Sequence, residues 1–135
     1  SALNKISKEM TVIVPIHPRT RKIIERNKIK IYFTMIDPIG YFDMIELLKN
    51  CKLVLTDSGG MQKEAYWLEK KCVTIRKETE WVETLINGNN ILLFEELSSL
   101  NTVMKEVAGN WNNMLYGEGK TSNKIIDIIM KGIDS

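Results

Sequence analysis

Histidine and cysteine are scarce in this chain: one histidine, His17, and two cysteines, Cys51 and Cys72, among 135 residues. That scarcity argues against a zinc site built from the usual four Cys and His ligands. Both cysteines open apolar runs, which reads as buried free thiols and fits a reducing cytoplasm. Net charge is scarce as well. Nineteen Lys and Arg against 17 Asp and Glu leave a formal +2, too little for an electrostatic hold on nucleic acid. The densest basic run, with Arg21, Lys22, Arg26 and Lys28, falls on an expected surface helix and reads as a solvated face. No apolar run approaches the roughly 18 residues of a membrane span, and no signal-peptide pattern is seen. What remains is an ordinary globular composition, 44% hydrophobic and 27% charged, with enough residues for one core.

Short apolar runs alternate with helical patterns. Thr11–Ile16, Lys30–Met35, Lys52–Thr56, Cys72–Arg76 and the shorter Asn89–Leu93 read as buried strands. Between them, residues 19–28, 40–50, 59–71 and 79–88 each have the length of one helix, the last closing on Gly88 as a C-cap. Two amphipathic helices are expected after the fifth strand, over residues 97–108 and 122–133. Strand–helix alternation at this spacing predicts an α/β fold: βαβ units and a Rossmann-like parallel sheet flanked by helices, in a single domain over residues 1–135.

In open parallel sheets, ligands bind beyond the carboxyl ends of the strands. His17 follows the first strand, Gly40 and Tyr41 the second, Ser58-Gly59-Gly60 the third and Arg76 the fourth. The stretch LVLTDSGGMQKEA, Leu53–Ala65, joins strand, glycine turn and helix start. Free N–H groups and the helix dipole make such a turn an anion site, and glycines let a phosphate approach without a Cβ in the way. A plainer reading weighs equally on local sequence: Asp57 or Ser58 caps the helix and the glycines turn the chain. Glu64, one turn on, suits ribose hydroxyls or simply faces solvent. Met61, Ala65 and Leu68 form an apolar stripe that belongs to the core.

Three look-alikes fail. TDSGG echoes the nucleophile segment of chymotrypsin-like proteases, but the strand–helix context is wrong for a double β-barrel. A hydrolase elbow needs glycine where Thr56 stands. GEGKTS, Gly117–Ser122, ends like a phosphate-binding loop, but Met114 holds the place of its first glycine and no strand precedes it.

The stretch LVLTDSGGMQKEAYWLEKKCVTIRKETEWVETLINGNNILL, Leu53–Leu93, closely resembles the UDP-N-acetylglucosamine 2-epimerase family. VIVPIHPRTRK, DPIGYFDMIELLKNCKLVLTDSGG and MLYGEGKTSNKIIDII are similar to further segments of that family, in the same order. The resemblance implies the C-terminal, nucleotide-sugar-binding half of a two-domain GT-B-type fold. It implies that Ser58, Gly59 and Gly60 hold the diphosphate of UDP, that Glu64 holds the ribose, and that the segment around Gly40 and Tyr41 lies against the uracil. Arg76 and Glu80 would border the same cleft, and His17 would lie close to it or be satisfied locally between Pro15 and Pro18. The family often reads TER where this chain reads TEW, which puts an arginine contact at Trp81 in doubt. The implied reaction interconverts UDP-GlcNAc and UDP-ManNAc by eliminating UDP and adding it back, with the proton-transferring carboxylates in the other domain and no cofactor. The alternatives are a non-catalytic nucleotide-sugar-binding module and the nucleotide half of a GT-B glycosyltransferase.

One departure carries a structural expectation. The opening residues 1–7 read as the tail of a helix, whereas the family's domain begins with the strand before it. With that central strand absent, the first and third strands flank a gap. Either they close up and pair, or a second copy or a missing N-terminal domain covers their edges. The isolated chain is then expected to be inactive and to associate, most simply as a homodimer.

Overall fold

The computed structural model describes residues 2–94 and 99–133. Helix α1 (Ala2–Ile6) leads to strand β1 (Ile13–Pro15), then α2 (Pro18–Arg26) and β2 (Thr34–Ile36). Helix α3 (Tyr41–Asn50), β3 (Val54–Thr56), α4 (Gly59–Trp67) and β4 (Cys72–Thr74) follow. A 3₁₀ segment (Val82–Gly88) precedes β5 (Asn90–Leu92), α5 (Leu100–Lys105) and α6 (Thr121–Ile133). The helix termini follow local chemistry. Pro18 opens α2, where its missing N–H costs nothing, and Asp43 and Lys49 place their charges at the favourable ends of α3.

All strand pairs are parallel, and they fall into two sheets. Val14 pairs with Met35 in one; in the other, Leu55 pairs with Val73 and Val73 with Ile91. The orders are β1-β2 and β3-β4-β5, so β1 and β3 are not partners. Of the outcomes expected for the flanked gap, direct closure is therefore not the one adopted. One apolar cluster spans the interval: Ile6 of α1 with Val73, Leu93 and Leu100, against which Val12 packs from beside β1 and Leu53 and Leu55 from β3 and its approach. A second cluster of Leu48, Val54, Ala65 and Cys72 takes in Met61 and Leu68, so the expected stripe of α4 is indeed core.

Three stretches differ from the sequence reading. Residues 30–33 do not extend β2 backwards, because Asn4 takes their polar groups: Nδ2 donates to the Lys30 carbonyl at 2.7 Å and Oδ1 accepts from Tyr32 N–H at 3.0 Å. The helix expected over 79–88 is a 3₁₀ segment that leaves helical geometry at Ile86 and turns left-handed at Asn87 and Gly88. The helix expected over 97–108 starts in part outside the described residues and stops at Lys105. There the buried Lys71 ammonium donates to the Val103 and Glu106 carbonyls at 2.6 Å each, satisfying groups that a helix end leaves open. Burial pushes the Lys71 pKa down.

Cys51 and Cys72 are unpaired thiols. Burial pushes Cys72 up to about 11 and raises Cys51 as well. Since the thiolate is the reactive form, Cys72 in the native chain should react with iodoacetamide at pH 8 on the order of 100-fold more slowly than a free cysteine. Mass spectrometry of the alkylated chain, with and without urea, measures this; equal rates in both would contradict the burial.

Candidate functional site

The turn between β3 and α4 bears on the choice between helix cap and anion cradle. Ser58 occupies the N-cap position of α4, yet its side chain makes no capping hydrogen bond. The Ser58 N–H is itself taken by Thr56 Oγ1 at 3.0 Å. The hydroxyl therefore stands at the start of α4 without doing the structural work the plainer reading assigned to it. The first N–H groups of a helix have no partner within it, and here the N-cap side chain supplies none.

The two glycines have separate reasons. A Cβ on Gly59 would meet the Glu80 carboxylate and lie 3.3 Å from Trp81 Nε1, so a side chain there requires Glu80 to swing aside and Trp81 to give slightly. A Cβ on Gly60 would meet nothing within 4 Å. Of these two, Gly60 is the one open to the outside. Glu64 lies half-buried one turn further along α4.

Arg76 and Glu80 come together over Gly59. Arg76 Nη1 meets Glu80 Oε2 at 2.9 Å, with both side chains partly exposed. The backbone N–H of Glu80 and then the Arg76 guanidinium hold the Glu80 carboxyl below the usual carboxylate range. Trp81 packs its ring under the Lys63 ammonium at 4.0 Å and edge-on to Tyr116. Its indole nitrogen is buried and has no hydrogen-bond partner among the described residues.

A polar network that the sequence did not reveal fixes this turn from beneath. Gln62, fully buried, accepts from Thr79 Oγ1 at 2.6 Å and from Asn90 Nδ2 at 3.0 Å, and its Nε2 reaches the Ser58 carbonyl at 3.4 Å. Asn90 also donates to Thr84 Oγ1 at 2.9 Å and accepts from Thr74 Oγ1 at 2.7 Å. The network ties α4, β4, β5 and the segment before Trp81 into one body. Its only trace in the sequence is polar residues within otherwise apolar strands, Thr74 and Asn90.

The remaining expected residues sit on the other sheet. His17 caps α2, its Nδ1 accepting from Arg19 N–H at 3.2 Å, which leaves Nε2 as the nitrogen to meet a ligand. Local satisfaction between the prolines is thus real, and a ligand contact through Nε2 stays compatible with it. Gly40 caps α3, and beside it Tyr41 and Phe42 form an exposed edge-to-face pair, 60% and 85% accessible. Exposed rings at a strand's carboxyl end offer a stacking face for a planar base. The basic face of α2 bounds a shallow depression of about 340 Å³ lined by Arg19, Lys22, Ile23 and Arg26, which includes none of these site residues. Among the described residues no group of three His, Cys, Asp or Glu could hold a metal ion, and no helix is long and apolar enough to cross a membrane.

Known proteins resemble this chain in sequence and in fold. The chain is 45% identical over 131 residues to a UDP-N-acetylglucosamine 2-epimerase homolog of Methanococcus maripaludis, covering 87% of this chain and 35% of that protein. It is 42% identical over 134 residues to the UDP-2,3-diacetamido-2,3-dideoxy-D-glucuronate 2-epimerase of Pseudomonas aeruginosa, covering 96% and 38%. The solved UDP-GlcNAc 2-epimerase of Methanocaldococcus jannaschii, in complex with UDP-GlcNAc and UDP, superposes with a TM-score of 0.79 at 33% identity. That match covers 96% of this chain and 39% of the other. The chain thus spans little more than a third of the length of these relatives. Residues 1–130 match the sequence profile described as UDP-N-acetylglucosamine 2-epimerase, and the chain belongs to that family.

Proposed function

We propose that this chain is the nucleotide-sugar-binding part of an epimerase that interconverts UDP-GlcNAc and UDP-ManNAc. The observation that carries the reading is the β3–α4 turn: a helix start whose N-cap serine makes no capping bond, beside a glycine open to the outside. In this reading the N–H groups at Gly59 and Gly60 and the Ser58 hydroxyl hold the diphosphate. Glu64 accepts from the ribose, Tyr41 stacks on the uracil, and Arg76, Glu80 and His17 border the sugar and phosphate.

The chemistry then divides between two places. A proton leaves C2 of the sugar, the bond between C1 and the diphosphate oxygen breaks, and UDP departs with the bonding electrons. UDP then bonds again to C1 of the glycal while a proton is delivered to the opposite face of C2, which completes the inversion at that carbon. This chain's donors stabilise the charge that grows on the diphosphate, an oriented N–H array being worth most where charge develops. The carboxylates that move the proton belong to the remainder of such an enzyme. The edges of β1 and β3 left without a strand are where that remainder, or a second copy, joins. Two free thiols suit a cytoplasmic setting.

Calorimetric titration tests the reading. UDP should bind saturably and ADP at least about tenfold more weakly, a difference of roughly 1.4 kcal/mol. The chain alone should convert no UDP-GlcNAc. Equal binding of UDP and ADP would remove the uracil assignment, and epimerisation by this chain alone would overturn the division of labour.

A further inference from the structure

We propose that Glu80 is a charge gate on the diphosphate end of the site, opposing the ligand's phosphates and holding Arg76 until a phosphate takes its place. The proposal rests on the nucleotide reading above. One oxygen of the Glu80 carboxylate pairs with Arg76 at 2.9 Å, and the other lies against Gly59, the first residue of α4. A carboxylate there already draws on the positive end of the helix dipole, the same field that a phosphate at Gly60 would use. Two anions a few ångströms apart disfavour one another, so bound diphosphate and an ionised Glu80 compete for the α4 terminus and for the Arg76 guanidinium. Both side chains are accessible enough to part, at 36% for Arg76 and 48% for Glu80. Arginine suits the exchange, since its planar fork meets a phosphate as readily as a carboxylate.

Trp81 supports the same placement independently. Its buried indole N–H, without a partner among the described residues, lies 3.3 Å from where a Gly59 Cβ would stand, so it adds a neutral donor but no charge near the start of α4. Arg76 is the guanidinium at this spot whose engagement Glu80 controls.

Calorimetry on the 135-residue chain and its variants, with UDP and with uridine, tests the gate. Glu80→Gln keeps the shape and a hydrogen bond to Arg76 while removing the charge. It should bind UDP about five- to tenfold more tightly than the parent chain at low salt, with uridine affinity unchanged. In 1 M salt, where the screening length falls to about 3 Å, the gain should shrink below about twofold. Arg76→Gln should bind UDP about tenfold more weakly. If circular dichroism shows that Glu80→Gln does not fold, Glu80→Ala carries the same expected sign. UDP binding by Glu80→Gln that is equal to or weaker than the parent overturns the gate and leaves the nucleotide reading intact. A gain equally present with uridine overturns it as well, since that would be a structural effect. A parent chain that binds no UDP overturns the nucleotide reading and the gate together.

Discussion

In Gly60→Ala, UDP affinity falls at least about tenfold while the fold stays as stable as before or gains up to about 1 kcal/mol. The two halves of this expectation have different origins. Alanine relieves the backbone entropy that glycine costs in a helix, and the protein offers no atom within 4 Å for the new methyl to strike. That same methyl projects from the first turn of α4, where a diphosphate must come close to the N–H groups. Gly59→Ala should behave in the opposite way. Its methyl displaces the Glu80 carboxylate from Arg76 and crowds Trp81 Nε1, so stability falls by up to about 1 kcal/mol before any ligand is added. Thermal melts and UDP titrations on the two variants separate a glycine kept for a ligand from one kept for packing. Identical behaviour of the two would remove the distinction.

Asn90→Ala has the largest expected effect on stability, a loss of about 2–4 kcal/mol. Asn90 is 2% exposed and bonds to Gln62, Thr84 and Thr74 from the first residue of β5. Removing it strips those three partners of one bond each and leaves a polar void, each buried unsatisfied group costing about 1–3 kcal/mol. For a domain of ordinary marginal stability this is a large fraction of the whole. The effect should reach the site, because Gln62 spans Asn90, Thr79 and the Ser58 carbonyl. Urea unfolding should show a lower midpoint, and UDP binding in the folded fraction should weaken. A variant with parental stability would mean that the network contributes little.

The element centres were legible because each strand is a short apolar run between turn-forming residues, and βαβ alternation then fixes the parallel pairing. The burial expected of every strand holds fully for β4 alone, while β1 and β2 each leave the first residue exposed and the next two half-buried. The site was legible where one motif carries it: Ser58, Gly59, Gly60, Arg76 and Glu80 lie together, as strand ends on one sheet require. The opposite roles of the two glycines were not. They depend on Glu80 and Trp81, which approach from some twenty residues away and leave no mark at Gly59 itself. Gln62 looked like one more helix residue in a run of good helix formers. Its burial follows from Thr79 and Asn90, whose partnership no local spacing encodes. Residues 30–33 read as strand on composition alone, but a side chain 26 residues upstream, Asn4, takes their hydrogen bonds.

The central claim is that the β3–α4 turn holds a nucleotide's diphosphate. Amide chemical shifts of the isotopically labelled chain, followed while UDP and then uridine are added, test it most directly. The account predicts that UDP moves the Gly59, Gly60 and Met61 resonances saturably and that uridine leaves them in place. UDP-dependent shifts confined to other parts of the chain, or the same Gly59 and Gly60 shifts with uridine, would contradict it.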